Sequence, residues 1–219
     1  VRRCAWVPAA TGAAPARDGD LRVTTDASCI AVENRYFRLK HPVRGGGGFP
    51  GDIAYAQSGN ADPQLFFLDR IVRPKGDGGR LEQYCARDCE DAETRVVFSS
   101  PLSATVETRT GFGRRSADTP GNPRALYRYT YTAFSPVVEV SARFTREDDG
   151  PWSELHFMHL SRKEKRYTHF ITGDTLGTHA LQAQGERSRA VSGPQWAVMA
   201  DGADACGAGF NGALCWDAS

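Results

Sequence analysis

Glu154 and His156 stand two residues apart in the stretch Trp-Ser-Glu-Leu-His-Phe, a spacing that on a β-strand aims both side chains to one side. Just upstream, Val138, Val140, Ala142 and Phe144 alternate with Glu139, Ser141 and Arg143. The turn residues Asp148-Asp149-Gly150 then lead into the next apolar-polar alternation. If these two runs pair as a hairpin through an even-residue loop, Ala142 and Phe144 share a face with Leu155 and Phe157. Arg143 then joins Glu154 and His156 on the other face. An acid, a base and a cation on one surface suit proton abstraction next to a carboxylate, or general acid-base work on a sugar hydroxyl. The plainer account of the same three residues is a solvated sheet face with a cross-strand ion pair.

Tyr127, Tyr129 and Tyr131 alternate along Leu-Tyr-Arg-Tyr-Thr-Tyr and so share one strand face. As an aromatic platform, Tyr127 and Tyr131 would stack on sugar rings, and Tyr129 would serve as a proton carrier beside a cation. Core packing explains the same pattern, since Tyr is good strand sequence. Trp6, Trp152, Trp196 and Trp216 divide between core anchors and binding-surface aromatics, with Trp196 taken as a substrate contact. The Gly45–Gly48 run lacks the Lys-Ser/Thr ending and following helix of a phosphate loop. Asp201 and Asp204 lack the further oxygen ligands of a calcium loop and read as a hairpin turn. No G-x-S-x-G and no H-E-x-x-H occurs, and no metal site or cofactor is expected.

The elements that must position these residues are strands. Residues 30–40, 64–72, 95–99, 104–110, 125–134, 137–146, 152–161 and 195–200 have strand character, and Gly-, Pro- and Asp-rich turns separate them. No long segment has a 3.6-residue period. The expected fold is therefore all-β, an antiparallel β-sandwich with few or no helices. Residues 1–20 read as an N-terminal arm or linker, and residues 21–219 as a single sandwich domain.

The chain has 219 residues, with 27 Lys and Arg against 26 Asp and Glu. A net charge of +1 gives no reason to expect nucleic acid as a partner. No run approaches the roughly 18 apolar residues of a membrane helix, so no membrane insertion is expected. The start at Val1 and the abrupt end after Cys215-Trp216 read as a processed product or fragment, with a neighbouring domain as a further partner. Cys4, Cys29, Cys85, Cys89, Cys206 and Cys215 form an even set without zinc-site spacing. Two local bridges, Cys85 to Cys89 and Cys206 to Cys215, with Cys4 to Cys29 as the remainder, are one of the pairings six cysteines allow. A disulfide set implies an extracellular, oxidising setting.

Four segments resemble the galactose-mutarotase-like β-sandwich, the supersandwich of many polysaccharide lyases and of glycoside hydrolase domains. They are Val32-Glu-Asn-Arg-Tyr-Phe-Arg-Leu, residues 127–134, Trp152-Ser-Glu-Leu-His-Phe-Met, and Gln195-Trp-Ala-Val-Met-Ala-Asp-Gly. The resemblance implies a concave sheet face that binds an extended poly- or oligosaccharide, with His156, Glu154, Arg143 and Tyr129 as catalytic candidates. Two functions follow: a secreted lyase or hydrolase, or a noncatalytic glycan-binding or structural sandwich of a larger extracellular protein.

Overall fold

A computed structural model describes residues 19–56, 59, 61–62, 65–67, 69–74, 81–113, 123–145, 152–157, 160–162, 169–172, 178–180, 196–201 and 204–209. At positions 52 and 61–67 and after residue 157 it describes the backbone alone. The described residues form strands β1 (Arg22–Thr25), β2 (Cys29–Glu33), β3 (Phe37–Pro42), β4 (Gly51–Tyr55), β5 (Ala61–Asp62), β6 (Leu65–Phe67), β7 (Arg70–Pro74), β8 (Leu81–Cys85) and β9 (Glu93–Ser99). They continue through β10 (Ser103–Gly111), β11 (Arg124–Thr132), β12 (Val138–Thr145), β13 (Glu154–His156), β14 (Leu160–Arg162), β15 (His169–Thr172), β16 (Thr178–Ala180), β17 (Trp196–Asp201) and β18 (Asp204–Gly209). Among the described residues there is no α-helix, only the 3-10 turns Gly46–Gly48 and Ala86–Asp88. The sheets run β1-β2-β3-β4-β5, β12-β11-β10-β9, β13-β7-β8, β14-β6 and β16-β15-β17-β18, and neighbouring strands are antiparallel throughout. The fold is the expected all-β, sandwich-like one.

The core lies between the first two of these sheets. Period-2 alternation on β11 sends Tyr127, Tyr129 and Tyr131 inward, where all three are fully buried. From the facing sheet and its flanking turn, Phe37 meets Tyr131, His41 meets Tyr129 at 4.8 Å between ring centroids, and Phe49 meets Tyr127 at 4.9 Å. Each buried ring stabilises the fold by on the order of 2–3 kcal/mol. The tyrosines are thus the centre of the sandwich and offer no face to a sugar. Backbone bonds from Thr94 to Val43 and from Gly45 to Ala92 stitch β9 to the strap that leaves β3.

Residues 30–40 form a hairpin rather than one strand. The Asn34 side-chain oxygen accepts the Tyr36 and Phe37 amides, at 2.9 and 3.2 Å, and its amide group donates to Ser135. This local capping competes with strand continuation and folds β2 back on β3.

Among the residues whose side chains are described, His41 is the histidine with no exposed surface. Its Nδ1 faces the Gly48 carbonyl, which can only accept, so Nδ1 carries the proton and Nε2 accepts from the Tyr131 hydroxyl. The Thr108 hydroxyl donates to the same carbonyl at 3.1 Å. Gly48 reaches this position with φ of +66°, and a Cβ there would lie 2.5 Å from Thr94 Oγ1 and closer still to the Thr108 methyl. Both threonines are buried and cannot give way. Gly48→Ala is therefore expected to destabilise the fold by about 2–5 kcal/mol, left-handed strain and overpacking together. The midpoint of urea unfolding measures this, and an unchanged midpoint would contradict the tight contact.

The 137–160 hairpin does not form. β12 pairs with β11 over Tyr131↔Val138 to Arg124↔Thr145, whereas β13 pairs with β7 through Leu155↔Ile71 and His156↔Arg70. Alternation decides which side chains point inward but not which strand lies alongside, and the short β11–β12 connection closes the more local pair. The apolar residues still meet, across sheets: Phe144 and Phe157 make an edge contact at 5.7 Å, and both pack on Tyr127.

The expected bridges Cys85 to Cys89 and Cys4 to Cys29 are also absent, because Cys29, Cys85 and Cys89 are thiols. Cys85 ends β8 with its backbone bonded to Gly113, the 3-10 turn intervenes, and Cys89 Sγ accepts the Gly111 amide at 3.2 Å. Cys29 lies beside the Asp26 carboxylate, 3.5 Å away. Cys206 sits on β18 opposite Met199, while Cys4 and Cys215 fall outside the described residues. Asp201 and Asp204 are the last register pair of β17 and β18, as the hairpin-turn reading expects.

Candidate functional site

β7, β8 and β13 make a small sheet with two unlike faces. Inward it presents Ile71, Tyr84 and Leu155, which register across the three strands and join the core. Strand alternation then turns Arg70, Gln83, Cys85, Glu154 and His156 to the opposite face, around a buried Val72. Cys85, Arg70 and His156 form one cross-strand row, and Gln83, Val72 and Glu154 the next.

Glu154 and His156 meet on this face, with Nε2 of His156 2.8 Å from Oε2 of Glu154. A carboxylate only accepts, so Nε2 holds the proton and the basic lone pair is set on Nδ1. The pair is solvent-accessible, with 30% of the His156 side chain and 54% of the Glu154 side chain exposed. Arg70 lies directly opposite His156, and its Nε is buried without a hydrogen-bond partner. Directly opposed residues on antiparallel strands hold their Cβ atoms about 5 Å apart, well within guanidinium reach.

Arg70 is held from behind. Asp69 is fully buried, its Oδ2 accepts the Tyr127 hydroxyl at 2.9 Å, and its carbonyl accepts the Ala86 amide. Burial, reinforced by the Asp69 carboxylate, pushes the Tyr127 hydroxyl far above its ordinary value, so it stays a donor. The entry to β7 is thereby tied both to the core strand β11 and to the turn after β8.

The structure brings Glu154 and His156 together and leaves the other expected members elsewhere. Arg143 stands exposed on the outer face of β12, in a row with Leu126 and Arg109 and beside a second row, Arg95, Glu107, Arg128 and Ser141. There Glu107 takes a hydrogen bond from Arg95 at 2.8 Å and from Arg128 at 3.0 Å. Burial raises the Glu107 carboxyl, but the two arginines outweigh it and hold the group below its usual value. Tyr129 is no proton carrier, since it is enclosed and burial drives its hydroxyl well above the ordinary range. Tyr127 and Tyr131 are likewise core residues rather than substrate contacts. Trp196 opens β17, and its side chain lies outside the described residues.

Arg70 was missed because nothing local links residues 70–74 to 154–156. The only sequence signal was its place in an expected strand. Among the described residues no group of three His, Cys, Asp or Glu is arranged to hold a metal ion. No helix among them is long and apolar enough to cross a membrane. The chain matches no protein-family model and no curated protein.

Proposed function

We propose that the chain is a secreted carbohydrate-active domain that cleaves a uronic-acid-containing polysaccharide by β-elimination on the β7–β13 face. The observation that carries this reading is the Glu154–His156 contact with Arg70 in register beside it. The Arg70 guanidinium pairs with the substrate carboxylate and offsets the charge that builds on it as the neighbouring C–H bond breaks. His156 Nδ1 accepts that proton, while Glu154 orients the ring and stabilises the imidazolium. The C–H electron pair becomes the new carbon–carbon double bond as the bond to the leaving glycosidic oxygen breaks. That oxygen recovers a proton from the imidazolium, which restores the neutral base. The sandwich-like fold and the supersandwich resemblance support the same reading.

The test is incubation of the chain with neutral and uronic polysaccharides, following reducing ends and the ultraviolet absorbance of the unsaturated product together. Growth of both on a uronic substrate is expected. Reducing ends without absorbance would replace elimination by hydrolysis, and silence in both channels would leave a glycan-binding or structural domain.

A further inference from the structure

The Gly45–Gly48 run takes no part in the β7–β13 face, yet it stands between two elements that do matter there. All four glycines have positive φ, between +58° and +69°. Glycine alone adopts such a run without steric cost, and it brings no side chain to bury. The glycines are therefore fastened by hydrogen bonds. The Gly45 amide donates to the Ala92 carbonyl at 3.0 Å and the Gly47 amide to Cys89 at 3.3 Å. The Gly48 carbonyl accepts from His41 Nδ1 at 3.3 Å and from the Thr108 hydroxyl at 3.1 Å. Releasing this strap frees four glycine backbones, a large entropy gain set against a handful of bonds, which places it at the low end of local stability.

His41 lies beneath the strap and tolerates one protonation state. With Nδ1–H on the Gly48 carbonyl, Nε2 takes the Tyr131 hydroxyl proton. A second proton on the ring would reverse that bond and leave the Tyr131 hydroxyl proton without an acceptor among the described residues. Ile30 faces the ring from β2, Thr108 from β10, and Tyr129 and Tyr131 from β11. The titratable groups around it are thus two tyrosines, with the Asp69 charge felt at Tyr129 and Glu107 turned to the other face of β10. Burial drives both tyrosine hydroxyls upward, so neither loses a proton to meet the imidazolium in acid. A protonated His41 finds its place only in water, on the far side of the strap.

The strap in turn holds the turn after β8. That turn spans the Cys89 and Ala92 carbonyls, and its Ala86 amide is tied to the Asp69 carbonyl at 2.9 Å, where the chain enters β7 and Arg70. We propose that residues 43–48 form an acid-released latch, in which protonation of His41 lets the strap swing off the sandwich while β10 and β11 stay paired, loosening the 86–92 turn and the entry to β7. The latch does not depend on the reaction proposed above.

The experiment is residue-resolved amide hydrogen exchange on the full chain from pH 7.5 to pH 4.5, corrected for intrinsic rates, at 0 to 1 M urea. The Gly45, Gly47 and Thr94 amides are expected to open more readily than those of β10 and β11 and with almost no urea dependence, since little surface is exposed. Their opening constant should rise roughly 70-fold across that pH range, from a His41 pKa of 6.5 in the open state and about 4 in the closed one. The Ala86 amide should follow them, and in His41→Gln the rise should vanish. The wild-type profile is decisive by itself, because a histidine starts the rise near pH 6.5 whereas carboxylates start it below about pH 5. Opening constants and urea slopes equal to those of β10 and β11 would mean that the strap leaves only with the whole fold, and would overturn the latch. So would opening that ignores pH, a rise that begins below pH 5, or an unchanged rise in His41→Gln.

Discussion

Replacing His156 by alanine is expected to lower the rate of the proposed uronate elimination about 10²- to 10⁴-fold, the usual contribution of a positioned general base. The unfolding midpoint should hardly move, because the Glu154–His156 pair is solvent-exposed and contributes at most about 1 kcal/mol to stability. Two companion variants separate the roles. Glu154→Gln keeps the shape but removes the charge opposite Nε2, so kcat falls while KM is largely retained. Arg70→Lys keeps the charge but loses the planar fork, so KM rises and kcat falls together. Arg143→Ala, by contrast, leaves both parameters near wild type, because Arg143 belongs to the outer face of β12. Steady-state kinetics on a uronic oligosaccharide reads all four. Full activity in His156→Ala, or equal losses at Arg143 and Arg70, would remove the β7–β13 face from the mechanism.

Acidification from pH 6.5 to pH 4 costs the fold about 3 kcal/mol through His41 alone. Burial lowers the pKa of this residue from 6.5 in the unfolded chain to about 4. Above pH 6.5 both states hold His41 neutral, and the folded state keeps its full advantage. Between the two values the unfolded chain binds a proton that the folded chain refuses, so stability falls as pH drops, by up to about 1.4 kcal/mol per pH unit. Below about pH 4 both states are protonated and this loss levels off. Other groups titrate over the same range, so the comparison must be with His41→Gln, which removes this proton and no other. Urea midpoints for the two chains at half-unit pH steps are expected to converge as pH falls. Parallel curves would show that His41 does not resist protonation in the folded chain.

Much of this molecule is local in origin. The period-2 runs at 104–110, 125–134 and 137–146 appear as β10, β11 and β12, and the inward facing of Tyr127, Tyr129 and Tyr131 follows from alternation alone. The Glu154–His156 contact is local too, since residues i and i+2 of any strand share a face. Asn34 is an intermediate case: its side chain caps its own turn, a local signal hidden inside a run that otherwise alternates well.

What only the tertiary structure decided is which strands are neighbours. Alternation states the buried face of β13 but is indifferent to whether β12 or β7 lies beside it. The choice comes from apolar area summed over the sheet against the entropy of closing each loop, a nonlocal balance. For that reason the cation beside His156 is Arg70 and not Arg143. The same holds for the thiols, because bridging requires geometry that spacing does not specify. The sequence by itself determined an all-β chain and the acid-base pair on one strand; the long-range pairing of strands decided what stands next to that pair, and therefore what chemistry it can do.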